Sequence, residues 1–312
     1  MAVIKRLNIN KFTTESDNNA FIEELVKLAD ENPQIFLVVG DLGYSVVEPF
    51  AARFPDRFIN AGVAEQNMTT LAAGLASEGY HVFTYSIANF PTFRCAEQIR
   101  NDVAYHNLPV TVVSVGGGLA YGNLGYSHHA VQDYALIRSM PNMLLTAPGD
   151  PMETRACLRF LVENPQPSYL RLGKAGEKNL HSEVPKNMGS GVWMPIEINK
   201  NAKHAYVTTG ASAQIVFEWL KKNTDNTSSF YSVPIWSSQN RFMQVQKFKE
   251  FGSITSVEDH LIDGGFGSWL LESLPARTGL RDKLDIRALS SDVCGMVGDQ
   301  NYLHNLGGLK DE

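Results

Sequence analysis

A glutamate opens the chain's most informative stretch. In Phe58-Ile-Asn-Ala-Gly-Val-Ala-Glu-Gln-Asn-Met68, Glu65 leads into a helical run to Gly79 made largely of Ala, Gly, Leu and Met. Such small residues let a helix pack closely on its neighbours, so Glu65 is expected in a poorly solvated seam. A lone buried carboxylate there costs several kcal/mol unless paired or protonated, which suits it to proton transfer. Taken alone, Glu65 also reads as a helix-N-terminal acid favoured by the macrodipole. In Asn89-Phe-Pro-Thr-Phe-Arg-Cys-Ala-Glu-Gln-Ile-Arg100, Phe90 and Phe93 lie three apart and would share one helix face. They could stack on a planar ring, or simply fill a core.

Gly116-Gly-Gly-Leu-Ala-Tyr-Gly-Asn-Leu-Gly-Tyr-Ser-His-His129 is a glycine-rich loop after an apolar run, where backbone can approach a ligand closely. His128 and His129 could donate hydrogen bonds or move protons, although a plain surface loop has the same composition. No GxGxxG or Walker A pattern is present, so a nucleotide site is not indicated. Arg171 and Lys174, at the end of the apolar run Tyr169 to Leu172, could hold an anion such as a phosphate or be ordinary solvated charges.

The elements that must position these residues alternate. Ile35–Val39, His81–Ile87, Val110–Val115 and the shorter Met143–Thr146 read as strands buried on both faces of a parallel sheet. Helical spacing relates Phe21, Leu25 and Leu28, then Met68, Leu71, Ala72 and Leu75, and a third helix is expected over about Thr92–Tyr105. Gly173 to Pro195 shows no sustained period and reads as a linker. A second alternation follows: strand Ala205–Thr209, helix Ala213–Lys222, strands Phe230–Ile235 and Ser253–Val257, and helix Phe266–Leu274. The expected fold class is α/β, two consecutive domains with mainly parallel sheets. The boundaries are 1–180, a linker 181–194, and 195–312.

With 44% hydrophobic and 19% charged residues, both domains can bury ordinary cores. A formal net charge of −6 argues against nucleic acid or an anionic membrane as partner. Cys95, Cys157 and Cys294 are odd in number and widely spaced, which suits reduced thiols. Lys5 and Arg6 have no apolar run behind them, so neither a signal peptide nor a membrane span is read, and the expected setting is the cytoplasm.

Together, in this order, Asp41-Leu42, Phe58–Gly79, Phe90–Arg100, Gly116–His128, Arg138–Met143 and Ala147–Asp150 resemble the pyrimidine-binding domain of transketolases. Val257-Glu-Asp-His-Leu-Ile-Asp-Gly-Gly-Phe resembles the C-terminal domain of transketolases and deoxyxylulose-phosphate synthases. The resemblance implies thiamine diphosphate as cofactor, with Glu65 hydrogen-bonding N1′ of its aminopyrimidine to control the ring's tautomer. It puts Phe90 and Phe93 on the flanks of that ring, Asp41 and Leu42 beside it, and His128 on the substrate. It implies phosphate contacts for Ser45 and Lys174, the lysine standing where the family often has an arginine and lacking its bidentate fork. Arg171, in Arg-Leu-Gly-Lys, is similar to the synthase pattern and is likewise expected to bind substrate.

The departures are informative. Leu124 replaces an aspartate that reads a sugar hydroxyl, and Gly116 replaces a histidine of many members. No arginine occurs between Arg6 and Arg53, where a second phosphate-binding arginine is expected. Modified, branched or deoxy sugars therefore fit better than the usual sugar phosphates. The Gly-Asp-Gly motif that holds the diphosphate through a metal is also missing, so Mg2+ and its ligands are expected from a separate N-terminal subunit, in a 2+2 heterotetramer. The expected activity is two-carbon ketol transfer. Alternatives are a deoxyxylulose-phosphate-synthase-like or 2-oxoacid dehydrogenase E1 β-like subunit, or a non-catalytic interaction subunit. Retention of Glu65, Phe90, Phe93 and His128 speaks against the last.

Overall fold

The computed structural model describes residues 14–15, 17–174, 176–222 and 227–310; Lys5 and Arg6 lie outside these. The β-branched runs form a seven-stranded sheet in the order Ile235–Trp236, Leu144–Thr146, Ser168–Leu172, Val110–Val115, His81–Ile87, Ile35–Val39, Phe58–Asn60. Its pairings are parallel except at the Ile235–Trp236 edge. Every residue of Ile35–Val39 and Val110–Val115 is buried, as strands covered on both faces require.

Alternate side chains feed two layers. Leu37, Phe83 and Val113 pack with Phe21 and Leu25 of the Asp17–Glu31 helix and Leu158 of the Pro151–Glu163 helix. Phe36, Val38, Val82 and Val112 pack with Met68, Ala72 and Ala76 of the Glu65–Ser77 helix. The alanines bring that helix down against the sheet and fix where Glu65, its first residue, must sit.

A second sheet, Leu284–Leu289, Ser253–Leu261, His204–Thr208, Ser228–Ser232, Met194–Glu197, is parallel except for the last pair. Two expectations change. Phe230–Ile235 is not one strand: the chain leaves the second sheet at Ser232, and Ile235–Trp236 crosses to pair antiparallel with Leu145–Thr146 of the first. Pro234 has no N–H to continue a ladder, and its carbonyl accepts from Ala147 N at 2.7 Å instead. Thr92–Tyr105 is not one α-helix either. It is a series of turns to Cys95, a short helix Ala96–Gln98, and a wide π-type turn over Ile99–Ala104. Pro91 precedes it, and Thr92 Oγ1 donates to Ala88 O at 2.6 Å, a side-chain bond that competes with helix formation.

The two layers meet on Arg171, and here the sequence expectation is corrected. Its side chain is 3% exposed and pairs with fully buried Asp133 at 2.9 Å. Its other nitrogens donate to Tyr134 Oη (2.8 Å), Ala130 O (2.6 Å) and Asp259 O (2.9 Å), leaving no face for a substrate. Burial opposes its charge, but Asp133, Tyr134 and Asp259 outweigh that and hold the guanidinium above its ordinary value. Asp259 in turn accepts from Leu119 N at 3.3 Å and meets His304 Nε2 at 3.1 Å. Two glycines answer to this cluster: a Cβ on Gly117 would overlap Arg171, and one on Gly118, at φ +64°, would overlap Asp259.

Arg171→Met would strand the Asp133 carboxylate in the interior. Urea denaturation should show a loss on the order of 3–5 kcal/mol, the cost of breaking a buried pair, and a loss below about 1 kcal/mol would deny the pair its structural role.

His260 is fully buried, stacks on Tyr134 at 5.1 Å, and sets Nδ1 2.6 Å from Leu261 O while Ala135 N points at Nε2 from 3.4 Å. That pattern is a neutral ring with Nδ1 protonated. Burial lowers its pKa to about 4, as it does for His81 under Phe83. Between that value and about 6.5 the unfolded chain binds protons that the folded chain does not, so stability must fall on acidification across this window. His260→Gln should flatten the pH dependence of the urea midpoint by about one proton, or about 1.4 kcal/mol per pH unit at most. An unchanged slope would show that His260 charges in the folded state.

Candidate active site

Each candidate side chain follows the carboxyl end of a parallel strand, where open α/β sheets place ligands. Asp41–Ser45 follows Ile35–Val39, Glu65 follows Phe58–Asn60, and Asn89–Arg94 follows His81–Ile87. The glycine loop follows Val110–Val115, and Lys174 follows Ser168–Leu172.

Glu65 is 3% exposed at the first turn of its helix, and its carboxylate meets Arg94 Nη1 at 2.8 Å. The same guanidinium lies over the Phe90 ring, 4.9 Å from its centroid. Phe90 is half-buried and meets the His128 ring edge-on at 5.3 Å, and His128 lies 6.4 Å from Tyr121, whose face Lys174 Nζ covers at 4.9 Å. Glu65, Arg94, Phe90, His128, Tyr121 and Lys174 thus form one strip of consecutive contacts. Phe90 and Phe93 sit on turns rather than a helix, with Phe93 46% exposed. Both line a hollow of about 420 Å³ with Asn89, Arg94, Tyr126, Ser127, His129 and Gln132.

The Asp41–Ser45 loop is tied elsewhere. Asp41 Oδ1 accepts from Asn60 Nδ2 at 2.9 Å, Ser45 N donates to Glu48 Oε1 at 2.7 Å, and partly buried Leu42 packs into the core beneath. Asp41 and Ser45 both have φ near +60°, a strained setting for residues with side chains. Gly43 rests on the ring of Tyr85, whose phenol is pushed up by burial and by nearby Tyr121, so the loop borders the strip. Lys174 also borders a wider cleft of about 660 Å³, shared with Lys178, Glu218, Lys222, His304 and Lys310.

Two contributors escaped the sequence reading, Asn89 and Arg94. Asn89 Nδ2 clamps the glycine loop through Ser127 O (3.2 Å) and His129 O (2.7 Å). His129, read from the sequence beside His128 as a possible donor, is buried and sets Nε2 3.2 Å from Gly122 O. An asparagine beside the aromatics was a visible signal, but which atoms it engages depends on loops distant in sequence. The Gly116 departure has a steric account: at φ +75°, any side chain there would overlap Tyr121, whose ring fills that space. Leu124 lies 52% exposed on a short 3-10 turn, Gly122–Leu124.

The hollow fits an aminopyrimidine. Its lining offers an aromatic face and two buried polar atoms without partners, Asn89 Oδ1 and His129 Nδ1, and Arg94 on its wall reaches the buried acid Glu65. A diphosphate needs a cation held by oxygen ligands. Among the described residues no group of three or more His, Cys, Asp or Glu could hold a metal ion. No described helix is long and apolar enough to cross a membrane.

Comparison with known proteins agrees. Residues 17–176 match the family model of the transketolase pyrimidine-binding domain. The chain is 33% identical to a putative transketolase C-terminal section of Methanocaldococcus jannaschii, covering 93% of this chain and 91% of that one. It is 30% identical to an apulose-4-phosphate transketolase subunit of Phocaeicola vulgatus, covering 89% and 92%. A solved structure described as a split gene transketolase, inactive beta4 tetramer, superimposes with a TM-score of 0.77 at 29% identity, covering 94% and 93%. 1-Deoxy-D-xylulose-5-phosphate synthases match as well, the chain spanning about half their length. With the family model covering half the chain and near full-length relatives on both counts, this chain belongs to the thiamine-diphosphate transketolase family, as a transketolase-type transferase subunit corresponding to the C-terminal section.

Proposed function

We propose that the chain is the pyrimidine-holding subunit of a split transketolase, moving a two-carbon ketol unit between sugar phosphates. The observation that carries this reading is Glu65, a buried acid joined through Arg94 to the face of Phe90, which lines the hollow. Bound thiamine diphosphate supplies the electron sink for breaking and making carbon–carbon bonds beside a carbonyl. In that seat Glu65 would hold a proton at N1′ of the pyrimidine, Phe90 and Phe93 would hold the ring between them, and Asp41 and Leu42 would border it. His128, whose Nδ1 lies 3.0 Å from Ser127 Oγ, offers Nε2 to the substrate. Lys174 and Ser45 hold the substrate phosphate.

In this reading residues 1–180 form the pyrimidine unit, 181–194 the linker and 195–312 the C-terminal unit. Mg2+ and its ligands come from a separate N-terminal subunit, two copies of each polypeptide assemble in the cytoplasm, and Leu124 favours a modified, branched or deoxy sugar. That two near full-length relatives are named as a C-terminal section and as one subunit of a transketolase supports a divided enzyme.

The test mixes the chain with the product of the adjacent reading frame, thiamine diphosphate, Mg2+ and ketose phosphates. Carbon transfer is expected. Pyruvate decarboxylation without ketol transfer from any donor would favour the synthase-like or dehydrogenase-like reading instead. Glu65→Gln should lower turnover on the order of 10²–10⁴-fold, and an unchanged rate removes it from the mechanism. Lys174→Met should raise KM for the phosphorylated substrate about tenfold with little change in kcat, as loss of remote uniform binding does; a fall in kcat alone would contradict the phosphate role.

A further inference from the structure

Arg94 is the one strong contact in the hollow that the proposed function leaves unused. Its guanidinium makes both contacts assigned above to the aminopyrimidine: a hydrogen bond to the Glu65 carboxylate at 2.8 Å and a stacked position over Phe90 at 4.9 Å. The two groups are alike in the relevant respects, being planar, delocalised, nitrogen-bearing and able to lie on an aromatic face. We propose that Arg94 is a resident stand-in for the aminopyrimidine, seated between Glu65 and Phe90 in the cofactor-free chain and swinging outward when the ring enters. The inference rests on the reading of Glu65 and Phe90 as the ring's seat.

The packing makes this exchange feasible. The Glu65 side chain is 4% exposed and the Arg94 side chain 49%, so the acid is fixed while the guanidinium already has one side in solvent. Gln66 Nε2 donates to Arg94 O at 3.0 Å, anchoring the backbone so that only the side chain need move. Without Arg94 the empty seat would leave a carboxylate buried alone, which is costly. With it, the acid is neutralised until a ring arrives that can take over both contacts. The consequence is a chain that keeps its catalytic acid satisfied before assembly and binds the cofactor more weakly than its hollow alone would allow.

The test uses the full chain without partner or metal, titrated calorimetrically with thiamine, which carries the aminopyrimidine but no diphosphate. Arg94→Met removes the cation and keeps an apolar stem. It should bind thiamine about three- to tenfold more tightly than the native chain, the fold-change that removing a partly exposed ion-pair competitor releases. Equal or weaker binding would overturn the stand-in, weaker binding marking Arg94 as a ligand of the ring. Binding undetectable in both forms at millimolar thiamine would overturn it too.

A urea double-mutant cycle supplies the second readout. Arg94→Met should lower the midpoint when Glu65 is present and have little effect beside Glu65→Gln, whereas additive effects would show that the two side chains are not coupled. Neither measurement requires turnover. An assembled enzyme that moves no ketol unit, with Arg94→Met still tightening thiamine binding, would refute the proposed reaction and leave the stand-in standing.

Discussion

The site depends on an ion pair that takes no part in it. Arg171 and Asp133 are buried against each other, and the remaining guanidinium nitrogens reach Tyr134, the Ala130 carbonyl and the Asp259 carbonyl. Arg171 sits at the end of a strand, and its partners come from the start of the Asp133–Arg138 helix, the close of the glycine loop and the second sheet. A buried charge tolerates little displacement of its partners, because each lost bond leaves a polar group unsolvated. The loop that carries His128 and His129 is therefore seated on a rigid floor. Gly117 and Gly118 are there because the floor touches the backbone directly, leaving no room for a Cβ.

The second sheet contributes through the same junction. Glu258 is fully buried and accepts from Phe266 N and Gly267 N, which pins the start of the Phe266–Glu272 helix. Burial raises its pKa to about 8, with those backbone donors and the positive charges of Arg171 and Arg138 pulling the other way. Asp259 and His260, the next two residues, face Arg171 and Tyr134. The Glu258-Asp-His segment thus has a mechanical reason to exist in a domain remote from the hollow: it closes the junction on which the glycine loop rests.

What could be read in advance follows from the range of the interactions. Strands buried on both faces announce themselves through continuous β-branched runs, so Ile35–Val39, His81–Ile87 and Val110–Val115 were legible to the residue. Glu65 was legible because an acid among small apolar residues is locally anomalous. Ile235–Trp236 was not, because its sheet partner lies some ninety residues earlier and only Pro234 hinted at the break. The shared helix face of Phe90 and Phe93 failed because Thr92 and Pro91 favour turns. Arg171 misled for a related reason: an arginine after an apolar run looks like an exposed anion ligand unless Asp133 and Asp259, both distant in sequence, are known to face it. Arg94 gave no signal at all, since its meaning comes from folding back onto an acid and an aromatic that separate loops deliver.

The exposure around the hollow then bears on assembly. Phe93, Leu124 and Tyr126 stand 46%, 52% and 47% exposed on the Asn89–Arg94 turns and the glycine loop, and Val297, near Gly125, is 61% exposed. Single exposed apolar residues need no explanation, but a group on the loops around the hollow leaves apolar surface in water beside the chemistry. The aromatic face that lines the hollow is joined through Arg94 to the buried acid Glu65. A second polypeptide that covered the rim would exclude water from Glu65 and strengthen its electrostatic interactions, and if it brought the cation ligands it would complete the seat in the same step. Binding such a partner and binding the cofactor would then favour each other, as linkage requires of any two ligands that stabilise one state.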